Sequence, residues 1–187
     1  TLLTFCALFT FSTSLFGQIT TTGGQTAQQL AEILAGPNIT VTNALLTGAG
    51  SASGSFAGTN SDIGFDSGVI LSSGNINEAP GPNGAANTGA DLGTPGTAQM
   101  TALAGIGTQD AITLEFDFEV QSSFIQFNYV FASEEYPEYA PPNNSGFNDV
   151  FAFFISGPGI TGEENIALIP ATTNPVTINN INAVTNN

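Results

Sequence analysis

Four carboxylate side chains between residues 134 and 149 are the part of this sequence best suited to chemistry. They are Glu134, Glu135, Glu138 and Asp149. Carboxylates that lie close together must be separated by water, protonated or matched by positive charge. The chain contains no Lys, Arg or His, so none of its own side chains supplies that positive charge.

A hard cation is the most economical partner for this acidic loop. Calcium takes about six to eight oxygen ligands from Asp, Glu, Asn and main-chain carbonyl groups. We therefore predict that the four carboxylates are ligands of Ca²⁺. Their spacing does not match an EF-hand loop, and a solvated acidic loop without metal is the alternative interpretation.

The composition excludes most catalytic machinery. The 187 residues include fifteen Asp and Glu and give a formal net charge of -15. Without His or Lys there is no Ser-His-Asp triad, Cys-His pair, Schiff-base lysine or imidazole metal ligand. Without Lys or Arg, nucleic acid is not expected as a partner.

One class of enzyme is compatible with a chain that lacks Lys, Arg and His, because glycoside hydrolysis needs only a pair of carboxylates. A carboxylate-only glycoside hydrolase or a carbohydrate-binding domain is therefore the alternative function. Against it, Trp is absent, and Glu134 and Glu135 are adjacent on a predicted loop. We therefore expect a protein that is not an enzyme.

Two other acidic patterns have simpler interpretations. Glu115, Asp117 and Glu119 alternate with apolar residues, which predicts the solvated face of a strand. The triplet 66–68 (Asp-Ser-Gly) is similar to the aspartic protease motif, but that chemistry needs two such carboxylates. No second Asp-Thr/Ser-Gly occurs, so we predict a turn there.

The first apolar stretch predicts a secretory signal peptide. Residues 2–16 are as long as the hydrophobic region of such a peptide and too short for a membrane span of roughly 20 residues. We predict a signal peptide over residues 1–18, truncated at its start, and a secreted mature chain without a membrane span. A buried N-terminal strand is the alternative. Cys6 is the only cysteine, which excludes a disulfide within the chain.

The remaining pattern predicts a mainly β protein with one short N-terminal helix. The helix is expected between Thr26, which can form a capping box with Gln29, and the stop at Gly36. A short helical turn is also expected around residues 98–103, within the Gly-rich stretch 74–107. Strands are predicted at 39–46, 69–72, 112–120, 124–131, 149–156, 166–169 and 176–181.

Among these strands, 112–120 and 124–131 are expected to form a hairpin. The strand at 149–156 is apolar on both faces, which predicts a central position in a sheet. Many short strands joined by Gly, Pro and Asn turns favour an antiparallel β-sandwich or jelly roll.

Long blocks of the sequence resemble the choice-of-anchor L domain family. The blocks from about residue 124 onward are 127–139 (FNYVFASEEYPEY), 147–159 (FNDVFAFFISGPG), 165–170 and 175–182, and earlier ones are 36–41, 43–44 and 66–74. The match is weak through the Gly-rich stretch, where Gly96-Thr97 stands in place of an expected Gly-Asp.

This resemblance implies a secreted bacterial surface module whose relatives carry different C-terminal anchoring or sorting signals. It implies a domain over residues 24–187 that is C-terminally incomplete, with the anchor on a region beyond it. Strand 176–181 is then expected to lack a partner and to leave an exposed edge. The expected role is adhesion or surface structure, with extracellular surface components or polysaccharide as partners.

Overall fold

The computed structural model describes residues 18–59, 61–85, 88–89, 91–121, 124–143 and 146–185. The predicted signal peptide and Cys6 therefore lie almost entirely outside the described residues. The described chain is mainly β, with antiparallel sheets and short helices. This confirms the predicted β class, while the sandwich or jelly-roll arrangement stays a prediction.

Nine strands and two α-helices follow one another along the described residues. The strands are β1 (Thr20–Gly23), β2 (Ile39–Thr47), β3 (Ser53–Ala57), β4 (Ser67–Leu71), β5 (Thr113–Val120), β6 (Val150–Phe151), β7 (Phe154–Ile155), β8 (Glu164–Asn165) and β9 (Val176–Thr177). The helices are α1 (Ala27–Ala35) and α2 (Ala98–Ala104). Strands β1, β3 and β4 form one sheet in that order, and β2–β5, β6–β9 and β7–β8 form two-stranded sheets.

Helix α1 begins and ends where local sequence signals place it. The Thr26 hydroxyl accepts a hydrogen bond from the Gln29 amide, and the Gln29 side chain accepts one from the Thr26 amide. At the other end, the Gly36 amide donates to the carbonyl of Glu32 at a positive φ of 72°, a conformation that favours glycine. Leu30 is fully buried, so the apolar side of the helix packs into the core.

Strand β5 has the predicted alternation but a different partner. Leu114, Phe116 and Phe118 are half-buried, while the acidic residues between them are exposed. The strand pairs with β2, and Val41 stands opposite Phe118. The predicted hairpin with 124–131 is therefore wrong, and the structure assigns no strand to 124–131.

Residues 124–131 are positioned by contacts between aromatic rings and not by pairing with β5. The ring of Phe127 lies 4.6 Å from that of Phe153, and the ring of Tyr129 lies 4.9 Å from that of Phe151, between centroids. This segment thus contacts the region of β6 and β7 through its side chains. Contact between these half-buried or exposed rings replaces the hydrogen-bonded ladder that alternation alone predicted.

The predicted central strand 149–156 is wrong in its continuity and its position. It divides into β6 and β7, because the amide of Phe153 donates to the Asn165 side chain at 3.0 Å rather than to a strand. Each half pairs on one side only among the described residues. The predicted strand 166–169 is also displaced, since β8 covers Glu164–Asn165.

The C-terminal part of the described chain is core rather than exposed edge. Strand β9 pairs with β6, and Val176, Thr177 and Ile178 are at most 1% exposed. The expected unpartnered edge at 176–181 is therefore wrong. The strand is short because the amides of Asn180 and Ile181 turn back to the Thr177 carbonyl.

Candidate functional site: an acidic cluster at the start of β6

Hydrogen bonds to the buried C-terminal segment fix the backbone at Asp149. It directly precedes β6, and its carbonyl oxygen accepts a 3.1 Å hydrogen bond from the amide of Ile178. Its neighbour Asn148 donates to the Ala104 carbonyl at the end of α2 at 2.7 Å and accepts from the Asn179 amide at 3.2 Å. These bonds fix the backbone from which the Asp149 carboxylate projects.

Ser133 connects that carboxylate to the acidic loop. Its hydroxyl donates a 2.6 Å hydrogen bond to Asp149 Oδ2 and accepts a 3.1 Å bond from the Glu135 amide. Ser133 was not among the residues predicted from the sequence, where a hydroxyl beside two glutamates is the only local signal for such a role. The bridge brings Asp149 next to Glu135.

Glu135 is the most perturbed acid of this cluster. Its Oε2 atom is buried and has no hydrogen-bond partner among the described residues. Desolvation raises the pKa of Glu135 from 4.5 to about 7, with further contributions from the charges of Asp149 and Glu134. Near neutral pH this carboxyl group therefore exchanges between protonated and ionised forms.

Glu134 lies beside a fourth acid that sequence spacing does not reveal. Burial raises its pKa, its own backbone amide partly offsets this, and Asp149 and Glu78 raise it further. A Cβ placed on Gly89 would lie 3.5 Å from Glu78 Oε2 and 3.6 Å from Glu134 Oε1. Gly89 thus lies between the two carboxylates, and the loop that carries Glu78 belongs to the cluster.

Glu138 differs from the other three predicted ligands because its side chain is exposed. The charges that raise the pKa values of Glu134 and Glu135 do not include Glu138. Nearby Tyr136 is oriented inward and donates to the Ile181 carbonyl. Burial, and secondarily Asp149, raises the pKa of the Tyr136 hydroxyl.

The cluster, defined as Glu78, Glu134, Glu135 and Asp149, supplies hard oxygen donors with no positive side chain to balance them. Within the described part of the chain, no group of three or more Asp, Glu, Cys or His side chains is arranged so that it could hold a metal ion. Chemically, the cluster can store a proton near neutral pH or attract a cation. The calcium prediction stays a prediction.

Asp110, like Glu78, was not predicted from the sequence, and its role is to stabilise local structure. Asp110 is 8% exposed, and it accepts hydrogen bonds from the amides of Leu92 and Thr94 and from the Thr94 hydroxyl. Burial alone would raise its pKa, but these bonds outweigh burial and lower it below 3.8. Asp110 therefore stabilises the loop before α2.

The remaining acidic patterns match their simpler interpretations fully on β5 and in part at residues 66–68. Glu115, Asp117 and Glu119 are exposed on β5, as predicted for a solvated face, and Asp117 accepts a 2.6 Å hydrogen bond from Asn43. The turn predicted over 66–68 is found only at Asp66, a bend residue whose carbonyl accepts from the Gly58 amide, whereas Ser67 and Gly68 already belong to β4. Neither arrangement suggests chemistry.

Comparison with protein families agrees with the sequence blocks noted above. The profile of the choice-of-anchor L domain matches residues 18–187, which include the whole acidic cluster. No curated protein and no solved structure matches the chain. Among the helices of the described residues, none has both the length and the apolar character needed to cross a membrane. Because the profile covers nearly the whole chain, the chain belongs to the choice-of-anchor L domain family, which indicates a bacterial cell-surface module.

Proposed function

We propose that this chain is a non-enzymatic extracellular module of a bacterial secreted or surface protein, serving adhesion or surface structure. The observation that carries the proposal is the family match over residues 18–187. The absence of Lys, Arg and His from the sequence supports it, since most catalytic mechanisms need one of them. We also propose that its sheets belong to an antiparallel sandwich or jelly roll, and that it is secreted with a signal peptide.

Exposed aromatic and aliphatic side chains of the segments 124–130 and 139–147 support a role in contact. The exposed fractions are 73% for Phe124, 52% for Val130, 52% for Phe147 and 44% for Tyr129. Tyr139 packs edge-on against Phe147, with 5.1 Å between ring centroids. A ring that is both exposed and held by a neighbour can pack against a sugar face or an apolar surface. We propose polysaccharide as the first partner to test.

Retention on insoluble polysaccharide tests this contact surface. The purified chain is expected to sediment with cellulose, chitin or peptidoglycan, and Phe147→Ala is expected to weaken retention. Leu45→Ala is the matched control, because Leu45 is 56% exposed on β2. Equal retention of wild type and Phe147→Ala, or no retention on any of these materials, contradicts the proposed surface.

We propose that a divalent cation, with Ca²⁺ as the first candidate, supplies the counter-charge of the acidic cluster. The buried Oε2 of Glu135, which finds no hydrogen-bond partner in the part of the chain that the structure describes, supports this. The donor set of carboxylate oxygens, which calcium prefers, also supports it. Glu134, Glu135 and Asp149 would face the ion, and exposed Glu138 is the fourth proposed ligand. Binding requires these side chains to turn from the arrangement described above.

Titration calorimetry and thermal unfolding test the cation. If Ca²⁺ binds the folded state, it raises the unfolding temperature, and a chelator reverses the rise. Glu135→Gln is expected to lose both the heat of binding and the shift, whereas Glu119→Gln on the exposed face of β5 keeps them. No heat and no chelator effect with wild type would exclude the cation.

Glycoside hydrolysis is the second candidate, favoured by one observation. Glu135, whose pKa desolvation raises to about 7, lies beside the charge of Asp149, and a protonated acid beside an ionised one is the pairing that such hydrolysis uses. A screen with soluble polysaccharides decides between the two functions. Turnover that Glu135→Gln abolishes and Glu119→Gln preserves would replace the adhesion proposal.

A further inference from the structure

One dipeptide, Asn83-Gly84, combines an amide side chain with a following residue that has no Cβ, and it is the only Asn-Gly in the chain. Both residues are exposed. Space around Gly84 is open, since a Cβ built there meets nothing within 4 Å. The backbone nitrogen of such a glycine can approach the preceding side chain with little steric hindrance.

The hydrogen bonds of Asn83 are arranged around its amide carbon. Its Oδ1 atom accepts from the Thr88 hydroxyl at 2.7 Å and from the Ala85 amide at 3.4 Å. The Thr88 hydroxyl also lies 2.8 Å from the Ala85 carbonyl, so its proton is shared between two acceptors. The Nδ2 atom donates to the Glu134 carbonyl at 3.2 Å.

We propose that Asn83 is a site of spontaneous deamidation promoted by this loop. The Gly84 nitrogen attacks Cγ of Asn83, forms a carbon–nitrogen bond and loses its proton, and Nδ2 takes up a proton and leaves as ammonia. Water then opens the succinimide ring to give aspartate or isoaspartate. Negative charge develops on Oδ1 during the attack, where Thr88 and Ala85 already donate hydrogen bonds, as in an oxyanion hole.

The product changes the loop that faces the acidic cluster. A carboxylate at position 83 cannot donate to the Glu134 carbonyl, and it adds a negative charge beside a glutamate whose pKa is already raised by burial and by neighbouring acids. Deamidation therefore weakens the link between residue 83 and the cluster. This modification is independent of whether the chain is adhesive or catalytic.

Peptide mapping after incubation of the folded chain in mildly alkaline buffer tests the proposal. The chain has no Lys or Arg, so a Glu-specific protease is used, and cleavage after Glu78 and Glu115 gives the fragment 79–115. The expected result is isoaspartate and aspartate at position 83, with the mass increase that replaces NH by O. Asn87, followed by Thr88 in the same fragment, is the internal reference and is expected to stay intact.

Two variants separate the contribution of the loop from that of the dipeptide. Gly84→Ala is expected to lose most of the conversion without disturbing the fold, because a Cβ fits there. Thr88→Val is expected to slow conversion in the folded chain only, leaving the rate in urea equal to that of wild type. An intact Asn83 in the folded wild type, faster conversion in urea than in the folded state, or equal folded rates for wild type and Thr88→Val would each overturn the proposal.

Discussion

The hydroxyl of Ser133 donates a 2.6 Å hydrogen bond to Asp149 Oδ2 and thereby joins the acidic loop to the start of β6. A hydroxyl has one proton, so Ser133 can only accept from the Glu135 amide, as it does at 3.1 Å. The two bonds hold the Asp149 carboxylate beside Glu135, where its charge helps to raise the pKa of Glu135.

Replacing Ser133 by Ala is expected to destabilise the fold. Asp149 loses a charge-assisted hydrogen bond and the Glu135 amide loses its acceptor, which together cost about 1–3 kcal/mol of the free energy of unfolding. Urea denaturation at neutral pH in the presence of a chelator measures the change. Ser51→Ala, at an exposed position, is the control. A Ser133→Ala variant as stable as the control would contradict the bridging role.

The free energy of unfolding is expected to depend on pH through the titration of Glu135. Desolvation, with the charges of Asp149 and Glu134, raises its folded-state pKa from 4.5 to about 7, so between these values the folded state binds more protons than the unfolded state. Its contribution therefore makes the free energy of unfolding decrease as pH rises from 4.5 to 7, by about 1–3 kcal/mol after a discount for solvent screening of this partly exposed group.

Glu135→Gln provides the measurement for this pH effect. The variant lacks the titrating group, so its stability in chelator is expected to stay more constant over the same pH range and to exceed that of wild type at pH 7. Glu119→Gln, on the exposed face of β5, should follow wild type. Parallel curves for wild type and Glu135→Gln would show that Glu135 does not titrate in this range.

Asp110 is expected to respond to acid in the opposite way. Burial opposes its ionisation, but hydrogen bonds from Thr94 and Leu92 outweigh burial and lower its folded pKa below 3.8. Its stabilisation is thus fully present above 3.8 and is lost as pH falls through the folded-state pKa. Asp110→Asn tolerates the φ of 51° at this position and is expected to cost about 1–3 kcal/mol at neutral pH.

Urea denaturation of Asp110→Asn at neutral and acidic pH checks this expectation. The difference from wild type should shrink on acidification, because wild type then loses the charge that the variant already lacks. Asp62→Asn, at an exposed turn, is the matched control. A constant difference at all pH values would mean that the Asp110 charge does not contribute to stability.

Signals from neighbouring residues predicted individual helices and strands. The pairing between strands depended on contacts between residues that are far apart in the sequence. Thr26 and Gln29 form the predicted capping box of α1 from their own four residues. The alternation of β5 was equally local, but two amphipathic segments, 39–47 and 124–131, fit beside it. The choice of β2 came from tertiary packing, in which Phe127 instead contacts Phe153.

The same limit applies to the candidate site. Glu134, Glu135 and Asp149 were predicted because they are close in sequence, and the structure places them together. Glu78 comes from a Gly-rich stretch without periodicity, and only the folded loop brings it to Glu134. Glu138 is close in sequence yet exposed, since burial of the neighbouring Tyr136 orients the loop.

Ile178 connects the buried C-terminal strand to the acidic cluster, and its truncation is expected to destabilise the fold. Its side chain is 0% exposed, and its amide donates to the Asp149 carbonyl at 3.1 Å. Ile178→Ala keeps the amide but leaves a cavity, which costs about 2–5 kcal/mol. Val184→Ala, at a site that is 62% exposed, should change stability by less than about 0.5 kcal/mol. Thermal and urea unfolding measure both variants, and a small effect of Ile178→Ala would show that 176–178 is a loosely packed edge after all.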